Sequence, residues 1–160
     1  MSIASLVWGY NNSKLHIFGL LSDGGVHSHI NHLKNLLKMI NDNGVDNIYM
    51  HLITDGRDTL IDSGCSYVKE IQEMNIGKVS TLCGRYYTMD RDKNYDRTEI
   101  GYNLMTKGLG MTFNSIDDAF DYSYTNKIYD EFMKPSLIDN NGLGTILVTE
   151  DTLNIVDGIL

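Results

Sequence analysis

The chain has 160 residues, a length that fits one domain, and with 42% hydrophobic and 21% charged residues it has the composition of a folded protein. Its formal net charge of −8 argues against nonspecific binding to nucleic acids or acidic membranes. No apolar run approaches the roughly 20 residues of a membrane span, and the first ten residues lack a signal-peptide pattern. Two cysteines make no disulfide framework, so we expect a cytoplasmic protein.

Strands and helices alternate through the first two thirds of the chain. Apolar runs predict strands at 15–21, 47–54 and 78–83. Helical periodicity and caps predict helices from Val26 or His27 to Asp42, from a cap at Asp62 or Ser63 to about Asn75, and at roughly 93–107. This order predicts an α/β fold, a layered sheet with at least three parallel strands joined by crossover helices.

The last third has a different pattern. Ser115 resembles the cap of a helix, and a second helix is predicted near 126–134, where it must stop before Pro135. A strand is predicted at 145–148. No linker or repeat interrupts the sequence, so we treat 1–160 as a single domain.

Polar loops follow all three predicted strands, beginning near Ser22, Asp55 and Gly84. The carboxyl ends of parallel strands share one edge of a sheet, which is where open α/β proteins bind ligands. The four arginines all lie within 41 consecutive residues, at 57, 85, 91 and 97, whereas the lysines are spread widely. Arginine presents a planar fork that suits carboxylate and phosphate, so this clustering predicts an anion site.

Asp58 next to Arg57 predicts a specific chemistry at that edge. A carboxylate can take a proton from a substrate hydroxyl while the adjacent arginine holds an anionic group. The alternative is an exposed turn with a local ion pair, which is worth little. For Asp90 we expect a solvated helix surface.

Other kinds of site find little support in the residues. The sequence has no P-loop, dinucleotide fingerprint, serine-hydrolase elbow or zinc-protease motif. His27 and His29 would diverge on a helix, so no metal site is predicted in this chain. Ser22 has no visible triad, and Cys83 lacks the arginine spacing of a cysteine phosphatase, so a buried strand residue is the better interpretation for Cys83.

Three motifs in order resemble the cofactor-independent phosphoglycerate mutases. They are Gly19-Leu-Leu-Ser-Asp-Gly-Gly-Val-His-Ser-His29, Asp55-Gly-Arg-Asp58 and Gly84-Arg-Tyr-Tyr-Thr-Met-Asp-Arg-Asp92. Tyr95-Asp96-Arg97 continues the match, and Lys134-Pro135 resembles a later landmark of the family. The resemblance spans roughly residues 14–136.

This resemblance implies a set of site residues. His27, Arg57, Asp58, Arg85 and Arg91 would contact phosphoglycerate, and the arginines would hold its carboxylate and phosphate. Asp58 would be the catalytic residue, which orients or deprotonates the glycerate hydroxyl that receives the phosphoryl group. The reaction would interconvert 3-phosphoglycerate and 2-phosphoglycerate in glycolysis.

The resemblance also implies that this chain is incomplete as an enzyme. The family has a phosphatase-like domain with two metal ions, usually manganese, and a serine that becomes phosphorylated; nothing in this sequence matches it. We therefore expect the substrate-binding domain alone, cut at both ends, binding no metal, monomeric and inactive as a mutase by itself. The alternatives are a non-catalytic module that binds small anions, or a small phosphatase that uses Ser22 or Cys83.

Overall fold

The computed structural model describes residues 14–139, in which five strands form one sheet. The strands are β1 (Leu15–Leu21), β2 (Ile48–Thr54), β3 (Lys78–Gly84), β4 (Met111–Thr112) and β5 (Ser136–Leu137). The helices are α1 (Ile30–Asp42), α2 (Gly64–Gln72), α3 (Arg85–Thr88), α4 (Tyr95–Lys107) and α5 (Ile116–Thr125). One turn of 3-10 helix covers Asp130–Phe132.

The sheet order is β1-β2-β3-β5-β4, and β1, β2 and β3 run parallel. The α/β fold with at least three parallel strands is therefore confirmed. The last residues of the long strands are level across the sheet, because Leu21 pairs with Thr54 and Thr54 pairs with Gly84. The loops that follow β1, β2 and β3 therefore leave the sheet side by side.

The main core lies around β2, whose seven residues are all buried between its two neighbours. Helix α1 contributes Ile30, Leu37 and Ile40 to this core, as its periodicity predicts. Full burial of each such side chain stabilises the fold by about 1.5–3 kcal/mol. This buried centre holds in place the carboxyl ends of β1, β2 and β3, from which the three polar loops extend.

Two predicted helix ends are wrong. Helix α1 begins at Ile30 and not at Val26 or His27, because the His29 ring caps it by accepting a hydrogen bond from the Asn31 amide at 3.2 Å. Helix α2 ends at Gln72, short of Asn75, whose φ of 53° leaves the helical region. Within residues 14–139, no helix is both long enough and apolar enough to cross a membrane.

The prediction for residues 126–134 is also wrong. Helix α5 has the predicted Ser115 cap, whose hydroxyl accepts from the Asp118 amide at 3.0 Å, but it ends at Thr125. The chain then adopts a φ of 59° at Lys127 and makes only a 3-10 turn, because the backbone of Asp130 forms hydrogen bonds elsewhere in the fold.

Helix α3 and the short β4 and β5 strands are additions to the predicted set. The strand predicted at 145–148 lies outside the described residues.

A buried histidine gives the fold a predicted pH dependence. The His51 ring is 1% exposed and lies 2.9 Å from Thr81 Oγ1 and 3.0 Å from His16 Nδ1. Burial, followed by the repulsion of His16, lowers the pKa of His51 to about 4. Below the ordinary pKa of 6.5, His51 therefore binds a proton in the unfolded chain, whereas in the folded chain it stays neutral until the pH approaches 4.

We therefore expect the free energy of unfolding to fall by about 2–3 kcal/mol as the pH drops from 6.5 to 4. Urea unfolding at several pH values measures this, with His51→Gln as the comparison because it removes the titrating group. The slope should be steeper in the parent chain than in His51→Gln. Equal slopes in the two proteins would contradict this account of His51.

Candidate functional site

The three loops that follow β1, β2 and β3 meet at the carboxyl edge of the sheet. Gly24, in the first loop, packs so closely on the backbone of Asp58 in the second that a Cβ at position 24 would overlap the Asp58 carbonyl. Arg85, which begins the third loop as the first residue of α3, reaches Asp58 with its side chain. The predicted convergence of these loops is confirmed by these contacts.

Arg85 lies at the centre of the site. Its Nη1 donates to Asp55 Oδ1 and to Asp58 Oδ2, both at 2.6 Å, and its side chain is 11% exposed. Hydrogen bonds between charged partners are roughly twice as strong as neutral ones. We call Arg85, Asp55 and Asp58 the Arg85 triad. With two carboxylates on one nitrogen, the guanidinium is held in place before any ligand arrives.

Asp55 is a member of the site that the predicted set omits. Its side chain is 1% exposed, and its Oδ1 also accepts hydrogen bonds from the backbone amides of Arg57 and Asp58, at 3.2 and 3.1 Å. Burial alone would raise the pKa of Asp55, but the nearby Ser22 hydroxyl and the hydrogen bonds from the Asp58 amide and Arg85 lower it overall. Asp55 therefore stays ionised and fixes both the 55–58 loop and Arg85.

Asp58 and His27 lie together on the open side of the triad. The Asp58 side chain is 19% exposed, and His27 Nε2 lies 3.9 Å from Asp58 Oδ2 with its own side chain 45% exposed. That distance is too long for a hydrogen bond but close enough for both groups to reach one small ligand. The structure thus brings three predicted residues, His27, Asp58 and Arg85, into one cluster.

The other two predicted arginines lie outside that cluster. Arg57 is 63% exposed, and its Nη1 donates to Glu131 Oε1 at 3.3 Å. Arg91 is exposed between α3 and α4 and makes no hydrogen bond or ion pair with any residue in the range 14–139. Their proposed contacts with a ligand remain predictions.

Asp90 corrects one expectation. Its side chain is 4% exposed and not solvated as predicted, because its oxygens accept from Asn94 Nδ2 at 2.8 Å and from the amides of Asn94 and Asp92 at 2.7 and 3.1 Å. These hydrogen bonds lower the pKa of Asp90, and the one from the Asn94 side chain contributes most. Asp90 thereby fixes the turn that carries Arg91.

Residues 130–133, which we call the 130–133 turn, pack beneath the site and were not predicted there. The Asp130 carboxylate, 1% exposed, accepts from the Gly64 amide and the Tyr124 hydroxyl, both at 2.6 Å. Its backbone carbonyl accepts from Thr54 Oγ1 at 2.7 Å. These bonds join the turn to the carboxyl end of β2 and to the start of α2.

Two glycines make room for the 130–133 turn. A Cβ at Gly56, whose φ is 66°, would lie 2.6 Å from the amide nitrogen of Glu131. A Cβ at Gly84 would overlap the Glu131 carbonyl and lie 2.6 Å from the Met133 nitrogen. These glycines immediately precede Arg57 and Arg85, so the turn contacts both arginine-bearing loops. Only the paired motifs Asp-Gly-Arg and Gly-Arg hint at this from the sequence.

Neither proposed nucleophile of the phosphatase alternative is accessible. Ser22 and Cys83 are each 1% exposed, and burial raises the pKa of the Cys83 thiol to about 12. A thiol needs to be a thiolate to attack, so Cys83 is a structural residue, as its strand position predicts. Between residues 14 and 139, no group of three or more His, Cys, Asp or Glu side chains could hold a metal ion.

Comparisons with known proteins agree with the resemblance seen in the sequence. Two curated relatives are named 2,3-bisphosphoglycerate-independent phosphoglycerate mutase. The one from Clostridioides difficile is 49% identical over 140 residues, and the one from Clostridium tetani is 46% identical over 142. These matches cover 84% and 85% of this chain but only 28% of each relative, so the chain spans little more than a quarter of their length.

A solved structure supports the same relationship. The chain resembles a phosphoglycerate mutase of Leishmania mexicana, whose crystal structures were determined at low cobalt concentration, with a TM-score of 0.73 and 26% sequence identity. The match covers 84% of this chain and 27% of that one. The family model for the N-terminus of BPG-independent phosphoglycerate mutases matches residues 4–156. The chain therefore belongs to the family of BPG-independent phosphoglycerate mutase N-terminal regions.

Proposed function

We propose that this chain is the substrate-binding domain of a cytoplasmic, glycolytic phosphoglycerate mutase that interconverts 3-phosphoglycerate and 2-phosphoglycerate. The names of the relatives support the reaction, and the Arg85 triad supports the location of the site. The whole of 1–160 would be one domain, monomeric in solution. Two cysteines without a disulfide are in keeping with a reducing compartment.

The arginines would bind the two anionic groups of the substrate. Arg85 uses only Nη1 within the described residues, so its remaining donors are available to a carboxylate or phosphate. Arg57 and Arg91 are exposed on the neighbouring loops and would close on the same ligand from two sides. His27 would donate a hydrogen bond to the anion beside Asp58.

Asp58 would act on the hydroxyl group of glycerate. Its Oδ2 is held by Arg85, and its other oxygen makes no hydrogen bond to the described residues. That second oxygen would accept the hydroxyl proton as the glycerate oxygen attacks phosphorus and the serine oxygen leaves. The phosphoserine would lie in the part of the longer protein that this chain does not span.

The metal chemistry would also lie elsewhere in the longer protein. The family resemblance implies two manganese ions, but the side chains of residues 14–139 offer no suitable ligand cluster. We therefore propose that residues 14–139 take part in the reaction without holding the metal ions. The chain's own contribution is to bind, orient and deprotonate the substrate.

One observation favours this function over a simple anion-binding module. Asp58 is partly exposed beside Arg85, where a carboxylate repels any anion that the arginine attracts. The buried Asp55 already holds Arg85 in place, so a site that only held anions would not need a second, partly exposed carboxylate beside the guanidinium. A site that binds a hydroxylated anion needs such an acceptor, because the substrate hydroxyl must be oriented and deprotonated.

A chimera tests the proposal directly. Residues 14–139 of this chain would replace the matching segment of the Clostridioides difficile enzyme, which is 49% identical over 140 residues. We expect the chimera to interconvert the two phosphoglycerates in a coupled assay. A folded chimera that binds 3-phosphoglycerate but never turns it over would instead indicate an anion-binding module.

A further inference from the structure

We propose that Glu131 is a positioning residue for Arg57, holding the guanidinium in the orientation that receives the anionic substrate. This inference rests on the proposed function, because it assigns Glu131 a part in the same site. The contact that carries it joins Arg57 Nη1 to Glu131 Oε1 at 3.3 Å.

Arg57 has a fixed backbone and a side chain with few restraints. Its amide donates to Asp55 Oδ1, and Gly56 before it packs on the 130–133 turn. The side chain is 63% exposed, and Glu131 is its only hydrogen-bonding partner among the residues that the structure describes. Without Glu131, no hydrogen bond from residues 14–139 would favour one rotamer of Arg57 over another.

Glu131 is anchored far more firmly than the arginine it holds. Its amide nitrogen packs on Gly56 and its carbonyl on Gly84, while the adjacent Asp130 is bonded to Gly64 and Tyr124. Its side chain is 23% exposed, against 63% for Arg57. The acceptor therefore has an anchored backbone and the more buried side chain, which is the arrangement needed to orient a partner.

The single contact also leaves Arg57 able to bind a ligand. A guanidinium has five N–H donors, and the bond to Glu131 uses only Nη1. The other donors can form a bidentate pair with a carboxylate or phosphate while Glu131 stays in place. Because ordering a long side chain costs conformational entropy at the moment of binding, an arginine that is already oriented binds its anion more tightly.

The first test measures the order of Arg57 without any ligand. The heteronuclear NOE of the Arg57 Nε–Hε group would be compared in the parent chain, Glu131→Ala, Glu131→Gln and the control Glu99→Ala, an exposed site on α4. We expect Arg57 to lose order clearly in Glu131→Ala. In Glu131→Gln, which keeps an acceptor, the loss should be smaller, and in the control the order of Arg57 should match that of the parent chain. Unchanged order in Glu131→Ala would overturn the proposal.

The second test is a double-mutant cycle read by the affinity for 3-phosphoglycerate. Glu131→Ala should weaken binding about threefold, because Arg57 would then be ordered only at the moment of binding, and it should not weaken binding further in an Arg57→Ala background. Equal effects in both backgrounds would overturn the positioning role. A parent chain that does not bind 3-phosphoglycerate would contradict a preformed substrate site, and the order of Arg57 would still decide the role of Glu131.

Discussion

Asp58→Asn is expected to lower the turnover of the chimeric mutase by about 10²- to 10⁴-fold, the usual range for loss of a general base. The substitution keeps the shape of the side chain and its ability to accept one hydrogen bond from Arg85. It removes the capacity to take up the proton of the glycerate hydroxyl. KM should stay near that of the parent, or fall, because a charge that repels the anionic substrate is lost.

Asp62→Asn is the matched control for this prediction. Asp62 lies further along the same stretch between β2 and α2, is exposed, and contacts none of the Arg85 triad. Steady-state kinetics of both variants separate kcat from KM. An Asp58→Asn chimera that keeps the parental kcat, or one whose loss of kcat/KM comes entirely from a higher KM, would contradict the catalytic role of Asp58.

Gly84→Ala is expected to reduce the free energy of unfolding by about 3 kcal/mol, at the upper end of the usual cost of overpacking. The new methyl group would overlap the Glu131 carbonyl and crowd the Met133 nitrogen. These are backbone atoms that cannot swing aside, and the Gly84 amide itself donates to the Met133 carbonyl at 2.8 Å. The 130–133 turn would have to leave its place beneath the site.

Gly19→Ala provides the comparison, because Gly19 also lies in a long parallel strand but has nothing within 4 Å of the added Cβ. Urea unfolding of the two variants should show a large loss for Gly84→Ala and a change within about 0.5–1 kcal/mol for Gly19→Ala. Equal stabilities would show that the turn can shift without cost, and the steric account would then be wrong.

The sequence was most informative where local pattern decides the structure. Strand β1 has the predicted bounds, and β2 and β3 differ by one residue at an end, because buried parallel strands read as apolar runs bounded by polar turns. The order of the elements predicted that the loops after these strands would converge. The meeting of His27, Asp58 and Arg85 follows from that topology.

What the sequence left out depends on contacts between distant residues. Asp130 lies 76 residues from Thr54 and 66 from Gly64, and no spacing rule connects them. The same contacts replace the helix predicted at 126–134 with a short turn. The sequence places Asp55 in a polar loop, but only the folded chain shows it buried against Arg85. Tertiary bonding of this kind routinely overrides local propensity.

We expect this chain to carry a preformed site for phosphoglycerate at the carboxyl edge of its sheet. An NMR amide-shift titration of the chain with 3-phosphoglycerate tests it most directly, with Arg85→Lys as control because lysine keeps the charge but loses the planar fork. We expect saturable shifts at residues 23–29, 55–58 and 84–92 that are much weaker in the variant. The absence of shifts up to tens of millimolar, or shifts confined to other surfaces, would contradict the claim.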